Sequence, residues 1–492
     1  MAPSTTQPSF LSTRRGKLTL ALVCLAGFLD FVDTTIVNVA LPSIRHGLGF
    51  SVENLQWVIS GYLLTYGGLL LLGGRAADLL GRRRLLVAGT SLFALSSLAG
   101  GLAGSEAVMI AARLAQGLGA AMMTPAALSI LTTSFTTERD RVKALGIWSA
   151  TVPLASALGV TLGGVISQGP GWRAVFLVNV PFAALVVIGA FRFLEDDRKT
   201  ASRREFDLPG AALGTGGLLL LVYALVNVAH VGWGSTRTIT ELAAAGSLLV
   251  AFAWTEQHQR TPLVPFSIFR IEGLAAADAT QIIAQAGFIS MFFFVTLYMQ
   301  NVLGYSPIVA GLAYLPVTVG VGIAAGVSSA LVARIGTRPV IVAGAVIGAG
   351  GVYWLSRIPV QGSYVADLLP GLVVMAFGLG AIMVGVQNAA NAGVPADKAG
   401  LAAALINTSS TVGAALGLAV LSAIATGRTN HLIARHANPA SAVTGGFHAA
   451  LLACSAFLVA AAVIASRATN TRAAQPAGGE TTSRKLTSPQ AA

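Results

Sequence analysis

Charge is the scarcest property of this sequence. Of 492 residues, only 10% are Asp, Glu, Lys or Arg, far below the ~25% of an ordinary soluble domain. A soluble fold of this length would lack the charged surface it needs. Cysteine is nearly missing too. Cys24 and Cys454 both lie inside apolar runs, which leaves neither a disulfide scaffold nor a thiolate metal cluster. The six histidines are scattered and have no partner at ligand spacing, so no metal is expected. No G-x-x-x-x-G-K-S/T loop occurs, which argues against direct ATP hydrolysis. A membrane enzyme would need acids, histidines or a nucleophile converging at one depth. Beyond Asp30, Asp33 and Arg113 the apolar runs supply almost none, so no enzymatic activity and no cofactor are expected.

Apolar residues fill the space that charge leaves. They make up 54% of the chain, and the mean hydropathy is +0.74. The pattern predicts fourteen transmembrane helices of ~20 residues, at roughly 18–40, 55–73, 85–104, 107–131, 142–167, 174–194, 208–229, 238–255, 273–299, 307–333, 339–357, 367–391, 399–426 and 447–466. Between the sixth and seventh lies 195–207, where nine of thirteen residues are charged. It reads as a solvated linker. The expected organisation is therefore a cytoplasmic N-tail (1–17), a six-helix bundle (18–194), the linker, two inserted helices (208–255), a second six-helix bundle (256–466) and a disordered cytoplasmic tail (467–492).

The net charge of +12 would suggest nucleic acid in a soluble protein. Here it follows membrane topology. With both termini cytoplasmic, 24 Lys and Arg fall in or at the edge of inner segments and 6 in or at the edge of outer loops, and Arg113 alone lies well inside a span. That is a strong positive-inside bias, so a multi-pass cell-membrane protein is expected, bound to lipid and not to nucleic acid. An internal echo supports two lobes. Gly81 to Gly89 aligns with Gly336 to Gly344 at a constant offset, with Gly, Arg, Val, Ala and Gly coinciding. Repeated halves are the mark of alternating-access transporters.

The charges gather in a few motifs. Gly73 to Arg84 packs one acid and four arginines between two apolar runs. Gly73, Gly74 and Gly81 suit a tight turn and close backbone approach, and Asp78 stands four residues before Arg82, a helical spacing for an ion pair. The pattern of Gly74, Asp78, Gly81, Arg82, Arg83 and Arg84 resembles the signature loop of the major facilitator superfamily of secondary transporters. The resemblance implies that this loop acts as a conformational hinge.

Asp30 and Asp33 lie on one face of the first span. Ionisable groups at that depth are functional-site candidates. Asp33 and Arg113 are each about 10 Å below the expected outer surface, so the two charges neutralise one another if their helices adjoin. Such a pair is either a static packing element or a carboxylate whose protonation changes during turnover. Arg113, Gln116, Gly117 and Gly119 match the superfamily's helix-four motif, R-x-x-Q-G-x-G. With the stretch Asp33 to Pro42, they look like the fourteen-spanner drug:proton antiporter family. That likeness implies proton coupling for Arg113 and proton or cation handling for Asp33. The role of Asp30 rests on depth and facing alone. Gly159, Gly163 and Gly164 resemble the family's antiporter-helix motif, although Val160 replaces its usual proline. The expected function is proton-coupled export of amphipathic or cationic drugs by a monomer. A narrow-specificity metabolite or lipid transporter of the same fold is the alternative. Two further expectations concern the ninth span. Asp278 should reach the interface, and the aromatic cluster from Phe288 to Met299 should serve mainly in packing.

Overall fold

The computed structural model describes residues 10–471, except 136, 195–207, 260, 261, 263, 265, 272, 393 and 395–398, and leaves some side chains within helices undescribed. The charged linker and residues 472–492 thus lie outside the described residues. Among those described, all regular structure is helical. The helices are α1 (Arg14–Leu48), α2 (Val52–Leu55), α3 (Trp57–Leu80), α4 (Arg82–Gly101), α5 (Glu106–Ser134), α6 (Glu138–Gln168), α7 (Trp172–Leu177), α8 (Asn179–Phe193), α9 (Leu208–Val231), α10 (Thr236–His258), α11 (Leu274–Leu297), α12 (Pro307–Leu312), α13 (Leu315–Ile335), α14 (Thr337–Leu355), α15 (Leu369–Asn391), α16 (Ala399–Ala434) and α17 (Pro439–Ser466). Eleven helical stretches among the described residues are long and apolar enough to cross a membrane, fewer than the fourteen expected. In α3 and α9 the apolar stretches are shorter, Trp57–Leu70 and Pro209–Leu225.

Several boundaries differ from the expectation for local reasons. The first helix runs past Pro42 to Leu48, where Gly49 (φ 75°) closes it by returning its N–H to Arg45 O. Arg45 and His46 sit in that last turn, where cations suit the helix dipole. The sixth span breaks at Val178. Pro181, four residues after Leu177, has no N–H to give its carbonyl. Pro316 stands in the same relation to Leu312, where α12 gives way to α13.

The predicted loop at 73–84 is mostly helix. Gly73 and Gly74 lie within α3, and Gly81 alone makes the turn, at φ 97°. A Cβ on Gly73 would strike the Ala121 carbonyl of α5, so this glycine permits close helix approach and not a bend. Because Gly81 interrupts the helix, the helical spacing inferred for Asp78 and Arg82 does not apply. The Asp78 side chain lies outside those described. The echo at 336 occupies the same kind of corner. Gly336 (φ 90°) joins α13 to α14.

Helices α1, α3, α4, α5, α6 and α8 pack together, as do α11 and α13 to α17. Helix α9 packs on α10 and on both α3 and α16, which meet at the seam between the groups. Large apolar side chains such as Leu95, Ile188, Val250 and Val365 face outward, as lipid contact requires. The aromatic cluster of α11 is packed as expected. Phe288, Phe293, Phe294 and Tyr298 are buried, and Phe294 meets Phe447 with centroids 5.9 Å apart.

The start of the C-terminal tail is ordered, contrary to expectation. Thr337 N donates to Thr471 O (2.9 Å), and Asn470 bonds Ile335 O (3.0 Å) and Arg338 N (3.1 Å), which straps the tail over the Gly336 corner. Asn470→Ala removes two of these bonds, each worth about 1 kcal/mol. Hydrogen exchange at the Thr337 and Arg338 amides should then quicken about 5-fold or more. Unchanged protection would show that the strap contributes nothing.

Candidate functional site

Five helices converge on Asp33. Helix α5 begins on the Ser105 cap, which sets Arg113 and Gln116 one turn apart on its buried face. Arg113 Nη1 donates to Asp33 Oδ2 at 2.6 Å and to Gln116 Oε1 at 2.7 Å, while Nε donates to Val58 O of α3 at 2.7 Å. Asp33 Oδ1 accepts from Gln116 Nε2 (2.8 Å) and from Asn179 Nδ2 (2.7 Å). Asn179 also donates to Ser97 Oγ (3.1 Å), and Ser97 donates to Phe176 O (2.8 Å). The break between α7 and α8 thus exposes the Phe176 carbonyl and aims Asn179 inward. The guanidinium lies 4.3 Å from the Tyr62 ring centroid, a cation–π distance. Asp33 is 0% exposed and Arg113 1%.

The two charges inferred to share a depth are therefore in contact. Asp33 accepts three N–H donors, one of them from an arginine, which suits its ionised form. Asp30 is placed differently. It is 2% exposed and accepts from the Tyr62 hydroxyl and from Thr124 Oγ1 (3.0 Å). Its partners are neutral hydroxyls, and no ion pair reaches it among the described residues. Tyr62 joins the two acids, since its hydroxyl serves Asp30 and its ring covers Arg113. Tyr62, Ser97 and Thr124 were missed by sequence reasoning, because a lone Tyr, Ser or Thr in an apolar run carries no pattern. Asn179 was given no role for the same reason.

The motif glycines are contact points. A Cβ on Gly117 would strike Tyr62 O, and one on Gly119 would lie 2.6 Å from Phe93 N, so α5 is wedged between α3 and α4. Gly159 and Gly163 of α6 pack on α1, where added Cβ atoms would lie 2.9 Å from Thr35 Cβ and 3.0 Å from Ile36 O. Gly164 faces the other group of helices, and its Cβ would lie 2.5 Å from Ile308 Cα and 2.8 Å from Pro307 O. Gln300 Nε2 of the π-helical turn Tyr298–Val302 donates to Val39 O of α1 (2.9 Å) at this same end. The two groups are closed together there, away from the arginine-rich corner. Helix α6 is continuous through 153 and 160, whose side chains lie outside those described.

Gly164→Ala should open that end. Overpacking costs about 1–3 kcal/mol, so the closed-to-open ratio falls about 5- to 160-fold. Spin labels on the ends of α6 and α12 would report it. An unchanged distance distribution would contradict the tight-contact reading.

At the hinge motif, Gly74 has room, with only Pro125 Cβ near (3.8 Å). Arg83 donates to Phe191 O (3.2 Å) and covers the Phe191 ring (5.2 Å). Arg82 and Arg83 line a cavity of about 350 Å³ with Arg15, Phe10, Thr133 and Phe193. These contacts lie within the N-terminal group of helices. Asp278, expected to reach the interface, does not reach the surface of the protein. It is 5% exposed within α11. No group of three or more His, Cys, Asp or Glu able to hold a metal occurs among the described residues.

Comparison with known proteins places this geometry. The chain is 41% identical to the cephamycin export protein of Amycolatopsis lactamdurans, over 82% of its own length and 83% of the relative's. It is 38% identical to the puromycin resistance protein of Streptomyces alboniger, over 87% and 86%. It is 36% identical to a multidrug resistance protein of Mycobacterium tuberculosis, over 83% and 75%. Its fold is similar to that of a bacterial homologue of the human lysosomal transporter Spinster, with a TM-score of 0.68 at 17% identity over 93% and 98% of the two chains. Residues 23–418 match the Major Facilitator Superfamily, and on this evidence the chain belongs to that family of transporters.

Proposed function

We propose that the protein exports hydrophobic or cationic drugs or antibiotics across the cell membrane in exchange for protons, as a monomer that alternates between inward-open and outward-open states. The relatives named for resistance and export support a drug or antibiotic as substrate. The observation that supports the coupling is the pair of buried acids on α1, one held by an arginine and the other, among the described residues, without a counter-ion. In this reading Asp33 and Arg113 form the fixed ionic frame, and Asp30 takes up and releases the proton. The acids stand one turn apart and share Tyr62, so a change at one is felt by the other.

The proposed architecture is two six-helix bundles, 18–194 and 256–466, with the two helices of 208–255 inserted between them, fourteen spans in all. Both termini are cytoplasmic, as the 24-to-6 distribution of basic residues favours. The contacts of Val39 and Gly164 then close the outer end. The arginine-rich corner at Gly81 acts as the inner hinge.

The test is efflux of ethidium from vesicles containing the purified protein. Efflux should follow an imposed proton gradient and cease when a protonophore collapses it. Efflux that persists without a gradient would point to the alternative, a transporter of the same fold that is not proton-coupled.

A further inference from the structure

Asp278 belongs to none of the motifs above. It lies four residues after the start of α11, where Ser409 Oγ of α16 donates to Oδ1 at 2.7 Å. The other oxygen, Oδ2, is buried and accepts no hydrogen bond from any described residue. Helix α11 packs on α1, α15, α16, α17, the π-helical turn Tyr298–Val302 and the 3-10 turn Phe266–Arg270, and none of the titratable groups described on them pairs with Asp278. Asp30 and Asp33 are engaged in the N-terminal network. His448 bonds Ile358 O (2.5 Å), and Arg270 is exposed. Arg428 and His431 lie about 30 Å along α16 from Ser409, at ~1.5 Å per residue. A bare carboxylate so enclosed is among the least favourable groups a protein can hold.

We propose that Asp278 and Ser409 form a second proton-exchange site, located in the C-terminal bundle and separate from the acids on α1. Its use in transport rests on the proton-coupled reading above, whereas its binding of a proton does not. The donor set excludes larger cations. One carboxylate and one hydroxyl are too few oxygens for a metal ion. Both residues lie in continuous helices, so no unwound backbone carbonyls are at hand to complete a shell. The free oxygen is closed to an organic amine by its burial. A proton fits. On loading, hydronium gives its proton to Oδ2, an O–H bond forms, and the carboxylate becomes a neutral carboxyl while water is left behind. On unloading, the same bond breaks and the proton returns to water. Ser409 keeps donating to Oδ1 in both forms. It is half-buried and stands two residues from exposed Asn407, which gives water an approach along α16. Gly413, one turn further, packs on Ile282 of α11 and closes the site from that side.

Infrared difference spectroscopy of the full-length protein in lipid nanodiscs, taken across a pH titration without drug, tests this directly. The wild type should show a protonated-carboxyl C=O band that disappears in Asp278→Asn and persists in Asp33→Asn and Asp30→Asn. Ser409→Ala should keep that band but shift its frequency, since it loses one hydrogen bond, and this reads the site even if Asp278→Asn folds poorly. A carboxyl spectrum unchanged by both Asp278→Asn and Ser409→Ala would overturn the proposal. If the Asp278 band is present and gradient-driven efflux is not, the site stands and the coupled-transport reading fails.

Discussion

Arg113→Ala is expected to abolish gradient-driven efflux and to lower the amount of folded protein. The substitution removes the bond to Asp33, the bonds to Gln116 and Val58 O, and the stacking on Tyr62. Breaking one side of a buried ion pair costs about 3–5 kcal/mol, because the remaining charge is left uncompensated. An unpaired carboxylate at that depth is more stable with a proton bound, so the fixed ionic frame one turn from Asp30 is lost and the proton carrier loses its setting. Asp33 would still hold Gln116 and Asn179, so the fold should survive in part. Arg113→Lys should recover activity only partly, because an ammonium cannot reach Asp33, Gln116 and Val58 O with one planar fork. Adding Asp33→Asn to Arg113→Ala should restore expression, with a coupling energy of about 0.5–3 kcal/mol in a double-mutant cycle. Strict additivity would mean that the contact carries no energy.

Asp30→Asn should separate binding from coupling. Asparagine has nearly the shape of a protonated aspartic acid, and its amide oxygen can still accept from Tyr62 or Thr124. The mutant should fold, bind drug and exchange it across the membrane in counterflow. Uphill efflux should fall at least ~100-fold, since the group proposed to carry the driving proton no longer titrates. Loss of counterflow together with efflux would assign Asp30 to substrate binding or to folding instead.

The parts of this protein that were legible in its sequence are those where physics leaves few alternatives. Charge at bilayer depth is costly enough that Asp30, Asp33 and Arg113 stood out against their apolar runs, and matched depth foretold the contact between Asp33 and Arg113. Gly81 and Gly336 were legible as corners because the chain reverses direction there. Gly73 was expected to serve both a turn and close backbone approach and serves only the second, since the two uses look alike until the neighbouring helix is known. Asp278 was misread for a related reason. Nearness to a helix end suggests water, but Ser409 lies 131 residues away in sequence and only the fold brings it near. Tyr62, Ser97, Thr124 and Asn179 complete the site through hydrogen bonds from four other helices. No local pattern records such a convergence.

The central claim is that proton movement through the acids of α1 drives export. Its most direct test uses liposomes with a pH-sensitive dye inside and a drug gradient as the sole driving force. Wild-type protein should move protons opposite to the drug, and Asp30→Asn should move drug down its gradient without moving protons. Equal proton movement in the mutant and the wild type would contradict the account.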